Sequence, residues 1–223
     1  MKTKENCPGL NKDCIQKEWE SAQLSPFRTV LEKTFENKAE EVFSSLSGSD
    51  CLEQALSRPY PIITVSVRDS LLCFHTGNSC KQYTISTSRK GICSILNSEG
   101  TPLGLHEVKE KYGAGAETGS VFIGRKEIGK KYWDLTEPEF LGKNLVTTRI
   151  LRLNGLEMEK NRGICQKSGL SCDSFDRFIY IHGSNNEDLI GQPLSSGCVL
   201  MRNTEIIELF DLTPLQTLVY IYS

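Results

Sequence analysis

From Ile62 onward, apolar residues recur at every second position in short runs broken by Gly, Pro, Asn and Ser. A period of two sends alternate side chains to opposite faces of a strand, which commits this part of the chain to half-buried β-structure. The runs fall at residues 63–67, 70–74, 82–86, 105–109, 145–153, 178–181 and 218–222. Many short strands with few helices predict a mainly β domain, a sandwich or a barrel-like sheet. Thr76-Gly77-Asn78 supplies a hairpin turn, and a two-residue Thr76-Gly77 loop sets Cys73 opposite Cys80. The clearest helix of this region is 204–212, with Asn203 as N-cap and Ile206, Ile207 and Phe210 as its apolar stripe.

Residues 1–58 read differently. Trp19, Leu24, Phe27, Val30, Leu31, Phe35, Ala39, Val42, Phe43 and Leu46 recur at three- and four-residue steps with charge between them. That is a small helical N-terminal segment, and Pro59-Tyr60-Pro61 links it to a β domain over 62–223.

Composition excludes several functions. Lys and Arg total 26 against 28 Asp and Glu, too even a balance for general nucleic-acid binding. No apolar run approaches the ~20 residues of a spanning helix, so no integral membrane segment is expected in this chain. Met1-Lys2-Thr3-Lys4-Glu5-Asn6-Cys7-Pro8 lacks the apolar centre of a signal peptide. The chain is therefore read as cytosolic, or as exported through a segment removed from it or lying outside it.

Nine cysteines stand at 7, 14, 51, 73, 80, 93, 165, 172 and 198. Cys7 with Cys14, Cys73 with Cys80, and Cys165 with Cys172 share one interval, unlike the Cys-x2-Cys of zinc ribbons. Pairing those three, plus Cys51 with Cys93, leaves Cys198 as an odd thiol. The alternative is that most are small buried hydrophobes. Cys73, His75 and Cys80 are ligand types without an apparent fourth. With only three histidines in the chain, neither a metal nor a cofactor is expected.

The chemistry lies near the C-terminus. Phe178-Ile179-Tyr180-Ile181-His182-Gly183 is a strand ending in His-Gly, and Ser195-Ser196-Gly197-Cys198 is a tight turn. An imidazole beside a thiol generates a nucleophile, and glycine before the cysteine admits a substrate to the backbone. On this reading Cys198 is the one strongly thiolate-like cysteine. His106 is a further candidate for this site, or else a satisfied core histidine.

His182-Gly183, a gap, then Ser195-Ser196-Gly197-Cys198-Val199-Leu200-Met201-Arg202 resembles the signature of the L,D-transpeptidase (YkuD-type) family. Thr101-Pro102-Leu103-Gly104, Thr147-Thr148-Arg149 and Asp188-Leu189-Ile190-Gly191 fall in the order that family shows. The resemblance implies a YkuD-type β catalytic domain of the bacterial periplasm or cell envelope, acting on peptidoglycan stem peptides. It implies Cys198 as nucleophile, His182 as general base and acid, and the Gly183 carbonyl orienting the ring. N–H groups at Gly197 and Cys198 would form the oxyanion hole, and a carbapenem would acylate Cys198. Ser196, Arg202, Tyr180 and His106 are possible substrate-binding residues. Two positions depart: the family's His two before the cysteine is Ser196, and its Arg two after is Leu200. The alternatives are a carboxypeptidase or amidase using water, and a non-catalytic peptidoglycan-binding module.

Overall fold

The computed structural model describes residues 61–76 and 79–223, within a compact unit that spans Arg58–Ser223. The expected N-terminal helices, the Cys7–Cys14 pair and Cys51 lie outside the described residues.

The strands are β1 (Ile62–Ser66), β2 (Leu71–Thr76), β3 (Ser79–Thr84), β4 (Gly104–Tyr112), β5 (Ser120–Ile123), β6 (Lys126–Lys131) and β7 (Val146–Gly155). They continue with β8 (Ile164–Cys165), β9 (Leu170–Ser171), β10 (Tyr180–Ser184), β11 (Val199–Met201) and β12 (Leu218–Tyr222). One α-helix of ten residues, α1 (Asn203–Leu212), lies between β11 and β12. Ten strands form one sheet in the order β11-β10-β7-β4-β12-β1-β2-β3, with the β5–β6 hairpin attached to β7. Beyond β3 the chain returns to the opposite end of this order. Ser86 bridges Leu200, each N–H meeting the other's carbonyl, and Ser88 bridges Ser195. The mainly β expectation holds, as one curled ten-stranded sheet closed by these bridges with β8–β9 as a separate two-stranded ribbon, rather than as two packed sheets.

Alternation decides the core. Ile63, Val65, Leu72, Phe74, Val108, Leu151, Leu153, Ile181, Val199, Met201, Val219 and Ile221 face inward and meet Ile206, Leu209 and Phe210 of α1. The helix begins one residue before the expected start. Its buried stripe is Asn203, Ile206, Leu209 and Phe210, while Ile207 is half-buried. Asn203 does not cap it with its side chain; the Glu187 carboxylate accepts the Asn203 N–H at 2.6 Å instead.

Two local readings are corrected. The β2–β3 register pairs Thr76 with Ser79 and His75 with Cys80, so the connecting residues are Gly77-Asn78 and Cys73 faces Gln82. This two-residue shift in pairing takes Cys73 out of direct opposition to Cys80, and both thiols are free. Cys165 and Cys172 are likewise free, since Cys165 pairs with Leu170 across β8–β9. Lys126, Lys130 and Lys131 lie on the strand β6. It forms because Gly124 and Arg125, at φ +55° and +69°, make a two-residue turn that pairs Ile123 with Lys126.

Candidate active site

The site is built on a fault in the sheet. Along one edge of β7, residues 150–155 pair with β4, whereas Val146 and Thr147 pair with β5. Between them Thr148 takes φ +68°, a left-handed conformation costly for a β-branched residue. On the other edge the β10 register jumps at the same place: His182 faces Ile150 and Gly183 faces Thr147. This bulge ends the regular ladder at His182-Gly183.

A buried clamp holds it. Asn203 Oδ1 accepts hydrogen bonds from the hydroxyls of Thr147 and Thr148, and its Nδ2 donates to Ser184 O at 2.9 Å. A Cβ on Gly183 would come within 2.5 Å of Asn203 Oδ1 and 2.7 Å of Thr147 O, so no side chain fits there. The Gly183 carbonyl lies 2.7 Å from His182 Nδ1. A carbonyl only accepts, so in the neutral ring Nδ1 carries the proton and Nε2 keeps its lone pair. Burial lowers the His182 pKa to about 4, with the Gly183 carbonyl pulling the other way.

β11 runs parallel to β10, pairing Ile181 with Val199 and His182 with Leu200. Val199 and Met201 enter the main core, whereas Cys198 packs against Phe122, Ile150 and Tyr180 on the opposite side. Alternation thus puts Tyr180, His182 and Cys198 on one face of adjacent strands. Tyr180 meets the His182 ring edge-on, with centroids 6.3 Å apart.

The turn before Cys198 is strongly specified. Gly197 has φ +120°, and a Cβ there would sit 3.1 Å from Gly100 O and 3.2 Å from Ile179 Cδ1. Ser195 Oγ accepts the Gly197 N–H at 3.1 Å and donates to Cys198 O at 2.6 Å. The expected turn glycine is therefore present, but its N–H is taken by Ser195, which corrects its reading as an oxyanion donor. Cys198 Sγ lies 3.5 Å from Phe178 O. Burial pushes this thiol up to about 11, against the opposing pull of the Tyr180 N–H and the Arg177 guanidinium. The expectation of a uniquely thiolate-like Cys198 is thus corrected. Among the described residues, the lowered thiols are Cys93, through the Ile95 backbone and Ser98, and Cys165, through Ser168.

The remaining candidates divide. Ser196 is exposed on the turn. Arg202 approaches Glu205 at 3.5 Å, within the first turn of α1. His106 is fully buried, with Nδ1 3.0 Å from Gly104 O and Nε2 3.0 Å from Ser174 Oγ. Both ring nitrogens are used inside the fold, so its reading as a substrate-binding residue is corrected to an interior one.

Sequence reasoning missed two cations. Arg177, half-buried, donates to Gly100 O at 2.8 Å and Cys93 O at 3.2 Å, which braces the segment carrying Gly100 against the Gly197 turn. Arg125, at the tip of the β5–β6 hairpin, lies 3.3 Å from the Tyr180 hydroxyl and 5.2 Å above the Phe178 ring. Neither belongs to a local motif. The available signals were the Gly124-Arg125 turn and the position of Arg177 directly before the His-Gly strand.

The family model of the L,D-transpeptidase catalytic domain, YkuD, matches residues 60–221. YqjB of Bacillus subtilis (strain 168), which bears the provisional description of an L,D-transpeptidase, is 41% identical over 54 residues. That match covers 24% of this chain and 31% of the relative, so it spans about a third of that protein's length. Among solved structures, an L,D-transpeptidase from Mycobacterium smegmatis gives a TM-score of 0.43 at 10% identity, covering 73% of this chain and 58% of that one. L,D-transpeptidase 3 from Mycobacterium tuberculosis, in complex with a faropenem-derived adduct, gives 0.45 at 10% identity, covering 74% and 61%. With the family model matching from Tyr60 through Ile221, this chain belongs to the L,D-transpeptidase catalytic-domain family.

Proposed function

We propose that the chain is a peptidoglycan-modifying cysteine acyltransferase of the cell envelope. It cleaves the L-centre-to-D-Ala bond of a tetrapeptide stem through a Cys198 thioester and passes the acyl group to an amine. The observation that carries this reading is the placement of His182 and Cys198 on one face of adjacent strands, with the Gly183 carbonyl fixing the imidazole tautomer.

In the resting site both groups are neutral, because burial disfavours imidazolium and thiolate alike. His182 therefore acts as a general base during attack rather than as half of a standing ion pair. Its Nε2 takes the Sγ proton as sulfur bonds to the substrate carbonyl carbon. Collapse breaks the C–N bond, and the imidazolium returns that proton to the departing D-Ala nitrogen, leaving a Cys198 thioester. The acceptor amine then loses a proton to Nε2 as its nitrogen bonds to the thioester carbon, and the departing sulfur recovers a proton from the ring. Arg125, Tyr180 and Phe178 line the approach to Cys198, where a guanidinium suits a stem-peptide carboxylate.

Water is the competing acceptor, a reading favoured by buried, apolar Leu200 in place of a cation beside the nucleophile. The test is incubation with a tetrapeptide muropeptide, alone and with D-methionine. A D-methionine-exchanged stem or a cross-linked dimer is expected. Tripeptide alone in both incubations replaces the transferase by a carboxypeptidase, and an unchanged muropeptide leaves a binding module.

A further inference from the structure

Far along the strand order from β10 and β11, the β2–β3 hairpin carries a cluster that the acyl-transfer chemistry does not use. Cys73 and His75 stand two residues apart on β2, hence on one face, and Cys80 of β3 lies directly across from His75. Their neighbours Leu72 and Phe74 point into the core, so this trio is on the outer side of the sheet. The ligand atoms of all three lie within 4.8 Å of one another. Tetrahedral zinc with bonds of about 2.0–2.3 Å needs ligand atoms about 3.5–3.8 Å apart, a separation reached by small side-chain rotations. The His75 ring is held by Thr64, whose Oγ1 is 2.9 Å from Nε2. Such a hydroxyl orients a ligating imidazole from behind. Cys73 and His75 are half-buried and Cys80 is exposed, so a cation here is gripped from the sheet side and open to solvent on the other.

We infer that Cys73, His75 and Cys80 form a zinc site, with a solvent molecule as fourth ligand. Two thiolates and an imidazole match a thiophilic d10 cation far better than the oxygen-seeking Mg²⁺ or Ca²⁺. As Zn²⁺ binds, two Zn–S bonds form, two S–H bonds break and two protons pass to solvent. The site is local, Cys-x-His followed by Cys on the return strand, and it clips β2 to β3 at the end of the strand order. The two-residue shift in register matters. Direct opposition of Cys73 and Cys80 suits a cross-strand disulfide, whereas the observed register brings His75 between them in reach. This reverses the metal-free expectation for the trio.

The test uses the full chain reduced with a non-thiol phosphine. Zinc titration is followed calorimetrically, and Co²⁺ substitution by absorbance. The expected result is one tight equivalent with sulfur-to-cobalt charge-transfer bands, weakened more than 10-fold in Cys80→Ser and in His75→Ala. The same equivalent persists in Cys165→Ser/Cys172→Ser, and zinc raises the Tm of the wild-type chain but not of Cys80→Ser. Cys80 is exposed, so that variant folds whatever becomes of Cys73 variants. Absence of the equivalent, or its survival in Cys80→Ser or His75→Ala, overturns the inference.

Discussion

The Cys198 thiol is the least ionised of the three that the site electrostatics single out, although it is the one assigned the chemistry. Burial raises it to about 11, while hydrogen-bond donors lower Cys93 and Cys165. Brief treatment with iodoacetamide at pH 7 should therefore label Cys165 and Cys93 before Cys198, as read by peptide mapping. Labelling of Cys198 first would show a standing thiolate and remove the neutral-pair mechanism. A carbapenem should behave oppositely. It is expected to acylate Cys198, at a rate nearly constant from about pH 5.5 to 9, because neither His182 nor Cys198 titrates between about 4 and about 11. A bell-shaped profile centred near the ordinary histidine pKa would contradict this. Cys198 and His182, the proposed nucleophile and base, were legible as residue types in a spaced motif. Their ionisation was not, because burial and the orientation of the Tyr180 and Gly183 backbone exist only after folding.

At the scale of elements, the geometry of the His-Gly pair depends on β10 and β7 breaking register together. Asn203 holds that break, accepting two threonine hydroxyls and donating to Ser184 O. Asn203→Ala leaves these buried groups unpaired and should cost about 2–4 kcal/mol in urea unfolding. Gly183→Ala should be at least as damaging, since its Cβ has no space, and Gly197→Ala should cost about 1–3 kcal/mol through its left-handed φ. Equal stability of Gly183→Ala and wild type would show that the bulge relaxes freely. Strands with strict alternation, such as 63–67 and 218–222, could be read from the sequence because each has one apolar face. The β5–β6 hairpin could not, since Lys126–Lys131 carries almost no apolar residue and becomes a strand only by pairing. The β2–β3 register was missed for a related reason. Thr76-Gly77 and Gly77-Asn78 are both acceptable turn dipeptides, and both registers leave Leu72, Phe74 and Tyr83 on the core face, so alternation alone does not choose between them. Asn203 looked like a helix cap because local chemistry favours it there, yet the tertiary clamp claims its side chain.

For the whole molecule, closure of the curled sheet buries two neutral histidines, and this sets its response to acid. His106 and His182 are both lowered from the usual value of 6.5 to about 4 by burial, despite carbonyls that favour the charged ring. Below pH 6.5 the unfolded chain binds protons that the folded chain refuses, so the sign is fixed. The stability is fully present above 6.5 and is lost as pH falls towards 4. Each histidine contributes a slope of up to about 1.4 kcal/mol per pH unit in that window. Carboxylates add their own loss at lower pH, Glu110 among them, since Tyr112 and Arg152 hold its carboxyl below the ordinary range. The two sources separate by window, histidine from 6.5 to 4 and carboxylate below about 4.5. Urea midpoints taken every half unit from pH 7.5 to 4 should fall steeply from 6.5 in the wild type. In His182→Gln the slope between 6.5 and 4.5 should drop by at most about half, since half-buried His75 is also lowered by burial and keeps its own share, whatever the change in absolute stability. His106→Gln should remove a similar share, and it should lose more stability at pH 7 because Gly104 O and Ser174 lose an interior partner. Identical slopes in wild type and His182→Gln would mean that His182 protonates in the folded state, and with that the neutral imidazole on which the acyl-transfer scheme depends would be gone.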